Sequence, residues 1–194
     1  MGIIAFAFGY LLGSIPFALL LTRPRGIDLR HVGSRNVGAA NVLRTAGVVP
    51  AVAVMLLDSA KGAVAVLVAR LMTDDLMVVT IAGLAAICGH VYPAWLRFRG
   101  GKGVAASAGV FAVLAPLATA VAALVFVATI IVTRFVSAGS IAGALTLAVA
   151  AAAGNVPAPV AAGATLAAIL VVHRHRDNLS RLIAGTERRI GPRP

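Results

Sequence analysis

Four short polar segments interrupt an otherwise oily chain, and their residue types suit the handling of phosphate and of a developing oxyanion. The first, "GSRNVGAANVLRTAG" (33–47), sets glycines among Ser34, Asn36 and Asn41, as in a loop that exposes backbone N–H groups. Arg44 adds a planar fork that fits a phosphate or carboxylate. The competing reading is a plain capping loop, with Asn41 as the N-cap of the second span. The second segment, "GHVYPAWLRFRGGKGVA" (89–105), places Gly100, Gly101 and Gly103 around Lys102. It is not a Walker A loop: Leu96 stands where that pattern needs its first glycine, and Gly103 where it needs Ser or Thr, so no nucleotide is expected. Consecutive glycines can curl into an anion nest, and Lys102 beside a helix N-terminus would add a full positive charge. A basic turn drawn to anionic lipid explains the charges but not the glycines.

The third segment, "RFVSAGS" (134–140), carries Ser137 and Ser140, which serve either as ligands or, in the simpler reading, as helix caps. In the fourth, "HRHRDNLSRLIAGTERR" (173–189), His175 and Asn178 are three apart and share a helical face, where either could hold a proton or an oxyanion. A solvated, lipid-attracted basic tail is the alternative there. Asp58 and Lys61 lie inside an apolar run, also three apart, and read as a structural intramembrane pair that orients its helix against its neighbours. His90 and His31 have no HExxH motif or cysteine cluster beside them, so no metal site is expected. Cys88 is the only cysteine, which excludes an intramolecular disulfide.

The elements that must position these residues follow from composition. Of 194 residues, 60% are hydrophobic and 12% charged, with a mean hydropathy of +0.99. Such a balance belongs to an all-α integral membrane protein, expected here as one domain over residues 1–194. Apolar runs mark spans at 3–21, 48–69, 76–95, 141–153 and 156–172. Residues 104–132 form 29 further residues without a charge, about 43 Å as one helix, too long for an ordinary span. Pro116 near the middle points to two short spans, helices four and five.

Charge parity agrees. Two spans there place the basic loops, Arg134 and the six arginines from Arg174 to Arg193 on the cytoplasmic side, and Asp74 and Asp75 outside. The expectation is therefore seven transmembrane helices, N-terminus outside and C-terminus cytoplasmic. In such a chain the net charge of +11 reflects sidedness and lipid contact, not a nucleic-acid partner.

Taken in order and spacing, "GSIPF" (13–17), "GSRNVGAANVLR", "LLDSAKG" (56–62), "GHVYPAWLRFRGGKGVA", "TRFVSAGS" and "HRHRDN" resemble the acyl-phosphate:glycerol-3-phosphate acyltransferase family, the PlsY type. The resemblance implies a bacterial inner-membrane enzyme with its active site on the cytoplasmic side. Its reaction would move an acyl chain from acyl phosphate to the 1-hydroxyl of glycerol 3-phosphate, giving lysophosphatidic acid and phosphate, with no cofactor and no required protein partner. By motif, Ser34, Asn41, Gly101, Gly103 and Ser140 become substrate or phosphate binders, and Arg44, Lys102, His175 and Asn178 the catalytic set. Three positions depart from the family pattern: Arg35 replaces a common glycine, and Ala40 and Ala106 replace common threonines. A small-anion transporter is the alternative from another class, although the polar residues crowd one interface instead of the midplane such sites use.

Overall fold

The computed structural model describes residues 1–191, so Arg193 of the basic tail lies outside the described residues. Among the described residues ten α-helices follow one another: α1 Gly2–Gly13, α2 Phe17–Thr22, α3 Ala39–Ala46, α4 Val48–Met72, α5 Leu76–Val91, α6 Val104–Leu114, α7 Pro116–Thr133, α8 Val136–Ala153, α9 Ala158–Arg174 and α10 Arg176–Ile183. No strand occurs among the described residues. Within the described residues, five stretches are long and apolar enough to cross a membrane: Gly2–Arg25, Val48–Met72, Leu76–Leu96, Pro116–Thr133 and Val136–Ala153. Counting the bent pair α9–α10 as one span gives six among the described residues.

Helices four and five of the expectation are not equally short. The break falls at Ala115, because Pro116 has no N–H to give and instead opens α7 at its first position. That leaves α6 with 11 residues, about 16 Å, and α7 with 18, about 27 Å. The first span, expected as continuous, is broken at Ser14–Pro16 for the same reason. The sixth starts at Val136 instead of Ile141.

The chain divides into two compact parts, Met1–Val113 and Leu114 onward. In the first, α1 lies so close on α5 that a β-carbon at Gly9 or Gly13 would strike the Ala82 or Ala86 carbonyl. A β-carbon at Gly109 of α6 would likewise strike the Ser59 carbonyl of α4. Small residues let membrane helices approach where lipid gives no hydrophobic incentive to associate. At the break between α1 and α2 two carbonyls take side-chain donors: the Trp95 indole N–H donates to Ser14 O at 2.7 Å, and Lys61 Nζ to Ile15 O at 2.8 Å, beside the Phe17 N–H at 3.2 Å. In the second part α7 and α8 form a hairpin around Arg134, which ends α7 in the left-handed region at φ +63°. Gly143 keeps the two helices close, its β-carbon position lying 3.1 Å from the Ala122 carbonyl.

Candidate functional site

In the first part, the loop before α3 is organised by Asn41, which is 1% exposed. Its Oδ1 accepts the Ser34 N–H at 2.8 Å, and its Nδ2 donates toward the carbonyls of Leu29, Val32 and Asn36 at 3.3, 3.1 and 3.0 Å. Asn41 is therefore not an N-cap: Gly38 occupies that position in α3. The reason is that one amide, with an acceptor and two donors, can close a turn of eight residues on itself. This clamp holds Arg35 at φ +57°, a conformation for which a glycine has no penalty. Ser34 is exposed at the surface of the clamped loop, and Arg44 is exposed in the last turn of α3.

The glycine-rich loop folds back onto the end of α5. Gly100 N–H donates to Val91 O at 3.0 Å and Gly101 N–H to His90 O at 3.1 Å. The expected nest is thus corrected: these two N–H groups satisfy carbonyls at the C-terminus of α5 and do not face an anion. The glycines are needed for approach, since a β-carbon at Gly100 would strike His90 O and one at Gly101 would strike the His90 ring at Nε2. Gly103 sits at φ +88° and its carbonyl accepts Ser107 N–H at 2.8 Å, opening α6. Half-buried Lys102 immediately precedes that helix start. Just upstream, Arg97 and Phe98 are both left-handed, at φ +52° and +60°. Backbone strain of this kind, about 1–2 kcal/mol per residue, clusters where function demands a shape.

Beneath this loop lies a charged cluster. Lys61 Nζ is 2.7 Å and His90 Nδ1 3.5 Å from Asp58 Oδ1, and all three side chains are buried. Ser14, Pro16, Lys61, His90 and Gly101 line a small pocket there.

In the second part, His175 ends α9 and starts α10 at a bend of 57°. Its Nδ1 lies 2.8 Å from Val171 O, so Nδ1 carries the proton and Nε2 is the ring's basic nitrogen. Asn178 follows on the first turn of α10, with Nδ2 donating to Glu187 Oε1 at 2.7 Å. Glu187 also accepts from Ser137 Oγ at 3.0 Å and from Arg181 Nε at 2.7 Å. Burial alone would raise the pKa of this carboxyl, but the hydrogen bonds from Asn178, Arg181 and Ser137, with the charge of Arg181, hold it below the ordinary range.

Neither serine of the third segment caps a helix. Phe135 is the N-cap of α8; Ser137 turns to Glu187, while Ser140 Oγ donates to Val136 O at 2.8 Å. The first part therefore joins Ser34 with Asn41 and Lys102's loop with His90. The second joins Asn178 with Ser137, which precedes Ser140 by one turn of α8. Sequence reasoning missed Glu187 and the part played by His90. The one available signal was that Glu187 is the only glutamate in the chain, placed among arginines.

Among the described residues no cluster of metal-ligating side chains occurs. The profile of the family described as glycerol-3-phosphate acyltransferase matches residues 3–185. A glycerol-3-phosphate acyltransferase of Myxococcus xanthus is 50% identical over 93% of this chain and 95% of its own length. One from an Anaeromyxobacter species is 45% identical over 98% and 97%. A crystal structure of PlsY (YgiH), an integral membrane glycerol 3-phosphate acyltransferase in its glycerol 3-phosphate form, superposes with a TM-score of 0.94 at 38% identity, covering 98% of this chain and 96% of that one. The lysophosphatidic acid form gives 0.92 at 36% identity, covering 98% and 95%. With a family match over residues 3–185 and identity of this level over more than nine-tenths of the chain, the protein belongs to the glycerol-3-phosphate acyltransferase family.

Proposed function

We propose that this protein is a multi-pass membrane enzyme that transfers a fatty acyl group from acyl phosphate to the 1-hydroxyl of glycerol 3-phosphate, releasing lysophosphatidic acid and phosphate. The observation that carries this reading is the superposition, over 98% of the chain, on PlsY in a glycerol 3-phosphate form and in a lysophosphatidic acid form, the acceptor and the product of that reaction. In this reading α6 is a short seventh span, the N-terminus lies outside, and the polar segments face the cytoplasm from a bacterial inner membrane. The arginine distribution supports that sidedness.

Acyl phosphate is a mixed anhydride, so no acyl-enzyme is needed. The glycerol oxygen attacks the acyl carbon, the bond from that carbon to the phosphate oxygen breaks, and phosphate leaves with the electron pair. Lys102 and Arg44 hold phosphate, with Ser34 and the Gly103 turn shaping the seat. Ser140 and Asn178 position glycerol phosphate or the oxyanion. Two acceptors compete for the hydroxyl proton, Nε2 of His175 and a phosphate oxygen of the donor. The fixed Nδ1–H of His175 supports the first by leaving the lone pair on Nε2.

The test is phosphate release from synthetic acyl phosphate by purified enzyme, with each substrate omitted in turn. Release that requires glycerol 3-phosphate and is matched by lysophosphatidic acid is the expected result. Release without the acceptor, or none at all, overturns the function. A covalent acyl-protein trapped in mass spectra overturns direct transfer alone.

A further inference from the structure

The buried Asp58–Lys61 pair was expected to be purely structural, and its lysine fits that role by holding the Ile15 carbonyl at the break in the first span. Its aspartate does something more. Asp58 Oδ1 faces Lys61 on one side and His90 Nδ1 on the other. The opposite edge of the same ring, Nε2, lies flush against the Gly101 backbone, with no room for even a β-carbon between them. The His90 carbonyl accepts the Gly101 N–H as well. Gly101 is thus held by both the main chain and the imidazole of one residue, and Lys102 is the next residue in the chain.

The energetics argue against a mere packing role. Removing three ionisable side chains from water costs several kcal/mol per ion, and an apolar set of the same volume would often be as stable or more so. A carboxylate on the far nitrogen is the usual means of fixing an imidazole's tautomer and tilt. Here it fixes the surface on which the lysine's loop rests.

We propose that Asp58 and His90 are positioning residues for Lys102, acting through the contact between the His90 ring and Gly101 to aim the ammonium at a substrate phosphate. This rests on the reading of the protein as a phosphate-substrate acyltransferase. Neither side chain touches substrate; both set where Lys102 can reach. The phosphate belongs to either glycerol 3-phosphate or acyl phosphate, which share the same recognition chemistry.

The test measures kcat and KM for both substrates in purified wild type, His90→Asn, His90→Gln, Asp58→Asn and Lys102→Ala, with the thermal midpoint of each. Asparagine reproduces the Nδ1 position but not Nε2, whereas glutamine reaches the Nε2 position. The expected result is a KM for one phosphate substrate raised roughly tenfold in His90→Asn and Asp58→Asn, with kcat changed less than threefold and partial recovery in His90→Gln. The substrate whose KM rises is the one that Lys102 holds. A second arm tests the contact itself: Gly101→Ala lowers the thermal midpoint, and His90→Ala restores it in the double variant by vacating the space, without restoring KM. Unchanged KM values in folded His90 and Asp58 variants, or a double variant no more stable than Gly101→Ala alone, overturn the proposal. An inactive wild type would instead overturn the acyltransferase reading on which it rests.

Discussion

The loop clamped by Asn41 and the C-terminal turn clamped by Glu187 solve the same problem with opposite chemistry. Each holds a polar segment in one shape through a single buried side chain, Asn41 within its own loop and Glu187 by reaching Ser137 fifty residues away. Asn41 does so with a neutral amide against backbone groups, whereas Glu187 does so with an ionised carboxylate against Ser137, Asn178 and Arg181. A neutral clamp has a small desolvation cost and does not titrate. A charged clamp binds its donors more strongly and depends on pH. The first clamp therefore adds no charge of its own to its loop, while the second sets a negative charge beside the Asn178 amide.

The comparison is sharpest where activity and stability separate. Lys102→Ala should lower turnover about 10²- to 10³-fold, the loss typical of one preorganised electrostatic donor, with the thermal midpoint unchanged. Near-normal turnover in a steady-state phosphate-release assay would remove Lys102 from the machinery. Asn41→Asp should be the largest stability effect in the first part. It turns a donor toward three carbonyls into an acceptor, and about 3 kcal/mol or more is expected from the groups left unsatisfied. Denaturation in mild detergent would measure it, and a neutral outcome would mean that the amide is not the clamp.

Glu187→Ala should cost about 2–4 kcal/mol, less than a fully buried ion pair because Arg181 reaches solvent. The same carboxylate predicts a pH dependence absent from the Asn41 loop. Its folded pKa lies below the unfolded value, so its stabilisation is fully present above about pH 4.3, the ordinary glutamate value, and is lost as pH falls through the folded pKa. Hydrogen exchange should show α10 and residues 186–190 opening first on acidification, and Glu187→Gln should flatten that response. Equal acid opening of both regions would break the contrast. The smallest effect is Arg35→Gly, expected to raise stability by about 1 kcal/mol by relieving a left-handed non-glycine residue. A loss instead would mean that the arginine side chain contributes more than its backbone strain costs.

How much of this was legible in the sequence differs from element to element. The long apolar helices were, because hydropathy is a local property. So was the division near Pro116, since a proline inside a helix removes a donor whatever surrounds it; its uneven placement was not, and neither was the break at Pro16 inside an apparently continuous run. The motif residues could be named in order. Their partners could not: Ser137 and Glu187 are fifty residues apart, and His90 reads as an ordinary helix-end histidine until the glycine loop is seen resting on it.

The amino-acid sequence by itself determined the membrane class, the family, and the polar segments available for phosphate chemistry, because each depends on residue type and near-neighbour spacing. The tertiary structure alone decided which N–H groups are already satisfied, which carboxylate holds which amide, and why Gly100 and Gly101 must be glycine. Those are matters of distance between segments remote in the chain, where a hydrogen bond or an overlap is decided by less than an ångström.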